Sequence, residues 1–452
     1  MGNIQKNVVW LVALVLHTLS ASCLFAQSGL RAGPMVGHTD MRSASIWVQT
    51  WDEAEVRITY RNNVAGKRLS TPTRRTRAED GNCITFVLDS VEPNNKYEYH
   101  VIVNGNAVAL DFPTTFTSRP IWKWRGNNLP PFTIAFGSCN YVNEAGYERQ
   151  DSSGKELGYG SEPEIFTTIA SIKPDAMIWT GDNTYLREPD WNSRSGIIKR
   201  YSHTRALAES RALFATTPNY ATWDDHDYGP NDSDRGWWGK NVALDVFRLF
   251  WPNPSYGVMD MPGVTTSFEC IDAQFFLLDA RYYRSSNDRT DGDHTILGEQ
   301  QIQWLIDALA SSTATFKIIV VGSQFLTDNL RKECFSRMPE ERKRIVDLIT
   351  TNKFTGVCFV SGDIHAAELS KLDRPGTYPL YEVTSSALTA GSNKDIAKQS
   401  NTYRVAGTEY GGHNFGLLRV TGKKGERVLT ISIVNKDGQE IWNRQFPEST
   451  LR

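Results

Sequence analysis

Short apolar runs that stop abruptly at small, acidic and metal-binding residues dominate the middle of this chain. Phe132 to Phe136 runs into Gly137-Ser138-Cys139-Asn140, and Ala176 to Trp179 into Thr180-Gly181-Asp182-Asn183-Thr184-Tyr185. Asn219 to Trp223 runs into Asp224-Asp225-His226-Asp227, and Val357 to Val360 into Ser361-Gly362-Asp363-Ile364-His365. Runs of this length, bounded by turn residues, read as buried strands. Between them the period becomes helical: Ser161-Glu162-Pro163-Glu164 places an N-cap, Pro and acids ahead of the stripe Ile165 to Ile172. Further helices are predicted near Lys240 to Phe250, Glu299 to Ala310 and Glu340 to Ile349, with strands at Phe275 to Leu278 and Lys317 to Val321. After Tyr378 the pattern returns to strands, through Val428 to Val434 and a turn at Lys436-Asp437-Gly438. Strands alternating with helices predict an α/β domain of two packed sheets with helices outside. Sites in such sheets form beyond the carboxyl ends of the strands, so the four tips are expected to share one cleft.

The preceding stretch has a different rhythm. From about Gly33 to Phe116 short alternating segments, such as Val56 to Tyr60 and Lys96 to Val103, are separated by turn signals such as Asn104-Gly105. This pattern predicts a small all-β sandwich. It contains no cluster of ligand-type residues, so its expected role is structural. The segment 119–131 is rich in Pro, Gly and Asn and reads as a linker. The predicted division is therefore a signal segment over 1–26, a sandwich over 29–118, a linker over 119–131 and a catalytic domain over 132–452.

At the N-terminus Lys6 precedes the apolar run Val8 to Leu16, and Leu24-Phe25-Ala26 resembles a cleavage site before Gln27. The chain is expected to be exported to a periplasmic or extracellular location. Ser20 stands three before Cys23 where lipid-attachment signals carry Leu, so an outer-surface lipoprotein is an imperfect fit. A retained membrane anchor is the other form of attachment left open. Of six cysteines, five remain after residue 26, an odd number that predicts at least one unpaired thiol. Cys139, at a strand tip, is the candidate.

Composition narrows the function. A formal charge of −2 over 452 residues gives no broad polyanion-binding surface, so no nucleic-acid face is expected. Any attraction for phosphate must be local. A phenol has a pKa of about 10, so Tyr185 would bind as phenolate only to a strongly acidic metal. A thiolate from Cys139 beside it favours ferric iron, whereas Asp182, Asp225, Asp363 and Asn231 are oxygen donors suited to Ca, Mg or Mn. Two unlike ions with Asp182 between them follow, and Asp224 is either a further ligand or an anchor behind one. Two such cations activate water and clamp a phosphoryl group for in-line displacement. His226 would protonate the leaving oxygen or bond the phosphoryl group, Arg281 would clamp equatorial oxygens, and Asn140 and Asn183 would contact substrate.

Singly, each residue has an ordinary structural use, such as a capping Asp182 or an ion-paired Arg281; their co-occurrence does not. Gly137-Ser138-Cys139, Gly181-Asp182-Asn183-Thr184-Tyr185, Trp223-Asp224-Asp225-His226-Asp227, Leu278-Asp279-Ala280-Arg281 and Ser361-Gly362-Asp363-Ile364-His365 together resemble the PhoD-like alkaline phosphatase/phosphodiesterase family of metallophosphoesterases. The resemblance implies a four-layer αββα sandwich preceded by a small Fn3/Ig-like β-domain. It implies ferric iron held by Cys139, Asp182, Tyr185 and His365, and calcium near Asp182, Asp225, Asn231 and Asp363. Mg, Mn or Zn are the alternatives for the second ion. The expected substrate is a small-molecule or polymer-borne phosphate ester. Phospholipase D-like and teichoic-acid phosphodiesterase activities are variants of that reading. A reading of another class is a calcium-stabilised surface protein that binds glycan, which would have no use for Cys139, Tyr185 and His365. The chain departs from the family in carrying Asn183 where an aromatic is usual and in lacking a twin-arginine export signal. Oligomeric state is not legible.

Overall fold

The computed structural model describes residues 29–62, 66–330 and 333–452; the signal segment lies outside them. Two six-stranded sheets face each other. One runs in the order Asn219–Thr222, Ala176–Thr180, Phe132–Gly137, Asn414–Thr421, Val428–Asn435, Glu440–Pro447, with its first three strands parallel. The other runs Thr266–Cys270, Ala273–Leu277, Phe316–Val320, Val357–Ser361, Leu380–Ser385, Ala367–Leu372, parallel through its four central strands.

The period of two explains the layering. Phe132, Ile134 and Phe136 enter the core between the sheets with Phe276, Ile318 and Ile431, while Ala135 points the other way. Ala176 and Ile178 do the same, while Met177 and Trp179 join the helices Ile165–Ile172, Arg211–Thr216 and Lys240–Phe250. Helices Glu299–Ser311 and Pro339–Thr351 cover the far face of the second sheet through Ile302, Leu305, Ile345 and Ile349. The result is the four-layer αββα arrangement, preceded by an all-β unit with its own core of Val36, Ile46, Ile58, Phe86 and Tyr99.

That β-unit is docked rather than tethered. Trp47 donates from its indole to the Leu249 carbonyl at 2.7 Å, Gln49 to the Ser202 hydroxyl at 2.6 Å, and Tyr99 to the Ala215 carbonyl at 2.9 Å. At Gly37 an added Cβ would stand 2.2 Å from Pro252 Cγ, so only glycine allows this approach.

Two details differ from expectation. Ser161 is not a cap: the helix starts at Ile165, and the Ser161 hydroxyl lies 3.1 Å from His413 Nε2. The helix Arg194–Arg205 was not predicted, because it buries Arg200, Ser202, Thr204 and Arg205 and has no apolar stripe. Ser193 starts it by accepting from the Gly196 amide at 3.0 Å. All five described cysteines are free and buried, and no described helix is long and apolar enough to cross a membrane.

At the amino ends of the strands the buried Arg427 grips Asp272 through Nε at 3.0 Å and Nη2 at 2.7 Å, joining the two sheets. It also donates to the carbonyls of Gly422 at 2.6 Å and Pro130 at 3.2 Å. Asp272→Ala leaves that guanidinium buried without its partner, and urea unfolding should show a loss of about 3–5 kcal/mol.

Candidate metal centre

The strand-end loops are sewn together by their own backbones. The Asn140 amide donates to the Asp182 carbonyl at 2.8 Å, Gly362 to Gly322 at 2.9 Å, and Leu388 to Ser138 at 2.8 Å. Turning back so sharply takes unusual conformations. Cys139, Asp182, Asp363 and His365 all have positive φ, at 60°, 50°, 71° and 57°. Such angles are uncommon for residues other than glycine and concentrate at functional sites. Gly181, with φ of 100°, lets the Asp224 loop come close: a Cβ there would lie 2.7 Å from that of Asp224.

These turns bring Cys139, Asp182, Tyr185 and His365 to one point. The Asp182 Oδ2 accepts from the Tyr185 hydroxyl at 3.2 Å and from the Cys139 thiol at 3.6 Å, and Tyr185 lies 3.2 Å from His365 Nε2. Three groups of donors overlap: Cys139, Asp182 and His365; Asp182, Asp225 and His226; and Asp225, Asp232 and Glu333, each with ligand atoms within 4.8 Å of one another. Asp182 belongs to the first two, so it stands between two adjacent centres.

The electrostatics ask for a cation. Burial, then the charge of Asp225 and Cys139, raises the Asp182 carboxyl well above its ordinary range. Burial and Asp363 push the Cys139 thiol up to about 12, and burial with Cys139 and Asp182 raises Tyr185 well above the usual phenol. Crowded anions out of water are costly unless paired, and a bound metal is the partner that reverses these shifts. The orphaned Nδ1 of His226, buried with no hydrogen-bond partner among the described residues, points to the same missing group. The donor set therefore fits a metal: thiol, phenol and imidazole around one carboxylate, with an oxygen-rich pair beside it.

The third group is different, because Arg281 and Arg284 already compensate Glu333. Arg281 is a correction to expectation. Its guanidinium is 1% exposed and is spent on Asp224 through Nε at 2.5 Å, on Glu333 and on the Ser233 carbonyl, so it holds acids in place rather than clamping substrate. Asp224 is thereby an anchor: it caps the short helix Asp225–Tyr228 in a reciprocal box with Asp227 and takes the Arg281 charge.

Asn140 and Asn183 are also corrected. Asn140 donates to the Asn183 carbonyl at 3.1 Å and accepts from Thr389 at 3.0 Å, while Asn183 donates to the Thr222 carbonyl at 2.7 Å. Both side chains pin loops together and face away from substrate. His226 stacks on Tyr185 with ring centroids 4.1 Å apart, and burial lowers it to about 4. It is neutral at neutral pH, a ligand or hydrogen-bonding group rather than the proton donor first expected. Asp363 donates its backbone amide to the Ser138 hydroxyl at 3.3 Å and lies outside the three groups, as does the exposed Asn231.

Sequence reasoning missed Asp232, Glu333 and a cap over the centre. Only adjacency to Asn231 marked Asp232, and nothing marked Glu333. In the cap, Arg187 lies over the rings of Tyr141, Tyr185 and Tyr159 at 4.8, 5.2 and 6.0 Å, and Tyr159 is 42% exposed at the mouth. Arg187 makes no ion pair among the described residues. Its place two residues after Tyr185 was the available signal.

The fold and the strand-tip centre are those of the metallophosphoesterase class, and the comparisons narrow the class to a family. Residues 262–426 match the PhoD-like phosphatase model, and residues 27–121 match a domain of unknown function, DUF7800. Alkaline phosphatase D of Bacillus subtilis (strain 168) is 24% identical over 337 residues, 63% of this chain; the aligned part spans about half of that protein, 53%. A solved structure of PhoD superposes with a TM-score of 0.74 at 18% identity, covering 94% of this chain and 92% of that one. Purple acid phosphatase PPD1 from yellow lupin (Lupinus luteus) gives 0.67 at 14% identity, covering 92% and 74%. The chain belongs to the PhoD-like phosphatase family.

The crowding of acids sets a pH dependence. Asp182 is raised and Asp227 is pushed up to about 7, both first by burial. Between about 4, the ordinary carboxylate value, and 7 the folded state holds more protons than the unfolded state. Metal-stripped protein should therefore lose stability as pH rises through that window, measured as a falling Tm. Reloading metal should remove the slope.

Proposed function

We propose that this chain is an exported metal-dependent phosphoesterase that hydrolyses phosphate mono- or diesters at the strand-tip centre. The observation that carries the reading is the convergence of the Cys139 thiol, Tyr185 phenol and His365 imidazole on the single carboxylate of Asp182. In this reading those four hold ferric iron, and Asp182, Asp225 and His226 with the nearby Asp363 serve the second, calcium-type ion. When bound, the pair supplies a nucleophile at neutral pH and a clamp for the phosphoryl oxygens.

The chain's own residues prepare that chemistry. Asp182 is oriented by the Tyr185 hydroxyl on Oδ2 and by the His226 amide at 3.3 Å on Oδ1. Tyr185 in turn sets the plane of His226, which can bond a phosphoryl oxygen. Arg187 places a positive charge at the mouth, where an anionic ester must enter. Beside Tyr159 a cleft of about 560 Å³, lined by Ser161, Lys394, Tyr410, His413 and Lys436, gives the alcohol portion a polar and basic berth. It suits a phosphate ester with a polar or polymeric alcohol.

Asp182→Asn should lose its metals together with at least about 100-fold in turnover on an aryl phosphate. Wild-type turnover at full metal content in that variant would remove the bridging role. Tyr185→Phe should abolish visible absorbance, since a ferric phenolate is the source of colour in this account. Arg187→Ala should raise KM about tenfold while kcat changes little, because a charge at the mouth favours substrate and transition state alike.

A further inference from the structure

The opposite end of the sheet carries a second constructed feature. A cleft of about 500 Å³ opens where the β-sandwich meets the amino ends of the parallel strands. Pro130, Pro174 and Pro218, which precede Phe132–Gly137, Ala176–Thr180 and Asn219–Thr222, form one wall; Thr115 and Thr117 of the sandwich form the other. Arg119 lines the cleft and is 8% exposed. Its backbone is fixed on both sides, donating to the Asp40 carbonyl at 3.2 Å and accepting from the Asn94 amide at 3.2 Å.

The guanidinium is only partly used. Nη1 donates to the Cys270 thiol at 3.1 Å, while Nε and Nη2 have no hydrogen-bond partner among the described residues. No carboxylate lies within ion-pair distance of it. Asp175, the acid lining the cleft, has its Oδ2 engaged by the Thr133 amide at 2.8 Å. Lys96 and Lys173 line the same space and form no ion pair among the described residues. A buried cation without a counter-charge is costly, and the two idle donors form one edge of the planar fork. That edge presents two parallel N–H groups, the arrangement that grips a carboxylate or phosphate with two hydrogen bonds.

We propose that this cleft is an anion site, in which Arg119 takes a phosphate-sized oxyanion side-on through Nε and Nη2, with Lys96 and Lys173 at its mouth. The site lies a full strand length from the tips that carry Cys139 and Asp182, so it is separate from the metal centre. Its occupant bonds a residue wedged between sandwich and sheet, and therefore strengthens the docking of the two domains.

The test uses sodium sulfate in the millimolar range on the metal-loaded full chain, with ionic strength held constant by chloride, and reads Tm and calorimetric affinity. Sulfate should stabilise the wild type and Asp182→Asn alike, which separates this site from the metal centre. Arg119→Gln should bind sulfate about tenfold or more weakly at the cleft while retaining turnover on aryl phosphate. If Arg119→Gln fails to fold, the pair Lys96→Gln/Lys173→Gln should weaken sulfate about fivefold at low ionic strength. Equal stabilisation of wild type and Arg119→Gln, unchanged affinity in the lysine pair, or no sulfate stabilisation of the wild type would each overturn the proposal.

Discussion

The structure is built around a cost: several acidic groups are held out of water within a few ångströms of one another. Asp182, Asp224, Asp225 and Asp227 are all buried at the carboxyl end of one sheet, beside a buried thiol and a buried phenol. Part of that charge is met inside the chain. Arg281 satisfies Asp224, and Asp227 accepts backbone amides from Asn183 and Thr184, each at 3.1 Å. What is left unmet is concentrated on Asp182 and its neighbours, and it is there that the thiol, phenol and imidazole arrive. Arginine was placed where a fixed counter-charge was needed and withheld where an exchangeable one belongs.

The two-sheet frame makes this arrangement affordable. Parallel strands end together, so residues far apart in the chain meet at one edge without long loops. The Asp272–Arg427 pair and the interleaved core keep the sheets in fixed relation, so the tips can hold positive-φ turns that an isolated loop would relax. The docked sandwich reaches the helical layer on the opposite side of the first sheet from the second, through Trp47, Gln49 and Tyr99. It contributes none of the residues of the metal centre.

Much of the frame was legible, because alternation in runs such as Phe132 to Phe136 reports which face each residue takes. The Arg194–Arg205 helix was hidden, since packing of buried arginine and hydroxyl groups leaves no periodic trace. For the centre, residues in compact turn motifs announced themselves: Cys139, Asp182, Tyr185 and His365 each sit where a strand stops. Motif reading was weaker at assigning tasks. Arg281, Asn140 and Asn183 occupy the right loops, but burial and hydrogen bonding give them supporting positions. Glu333 and the Arg187 cap owe their place to three-dimensional neighbours from distant segments, which a linear pattern does not encode.

The central claim is that a sulfur and a phenolic oxygen share one metal ion with Asp182. X-ray absorption at the metal edge of the purified holoprotein tests it most directly. The account predicts one sulfur scatterer at about 2.3 Å among lighter donors, lost in Cys139→Ser. A shell of oxygen and nitrogen alone in the wild type, with Cys139 open to alkylation while the metal is bound, would contradict it.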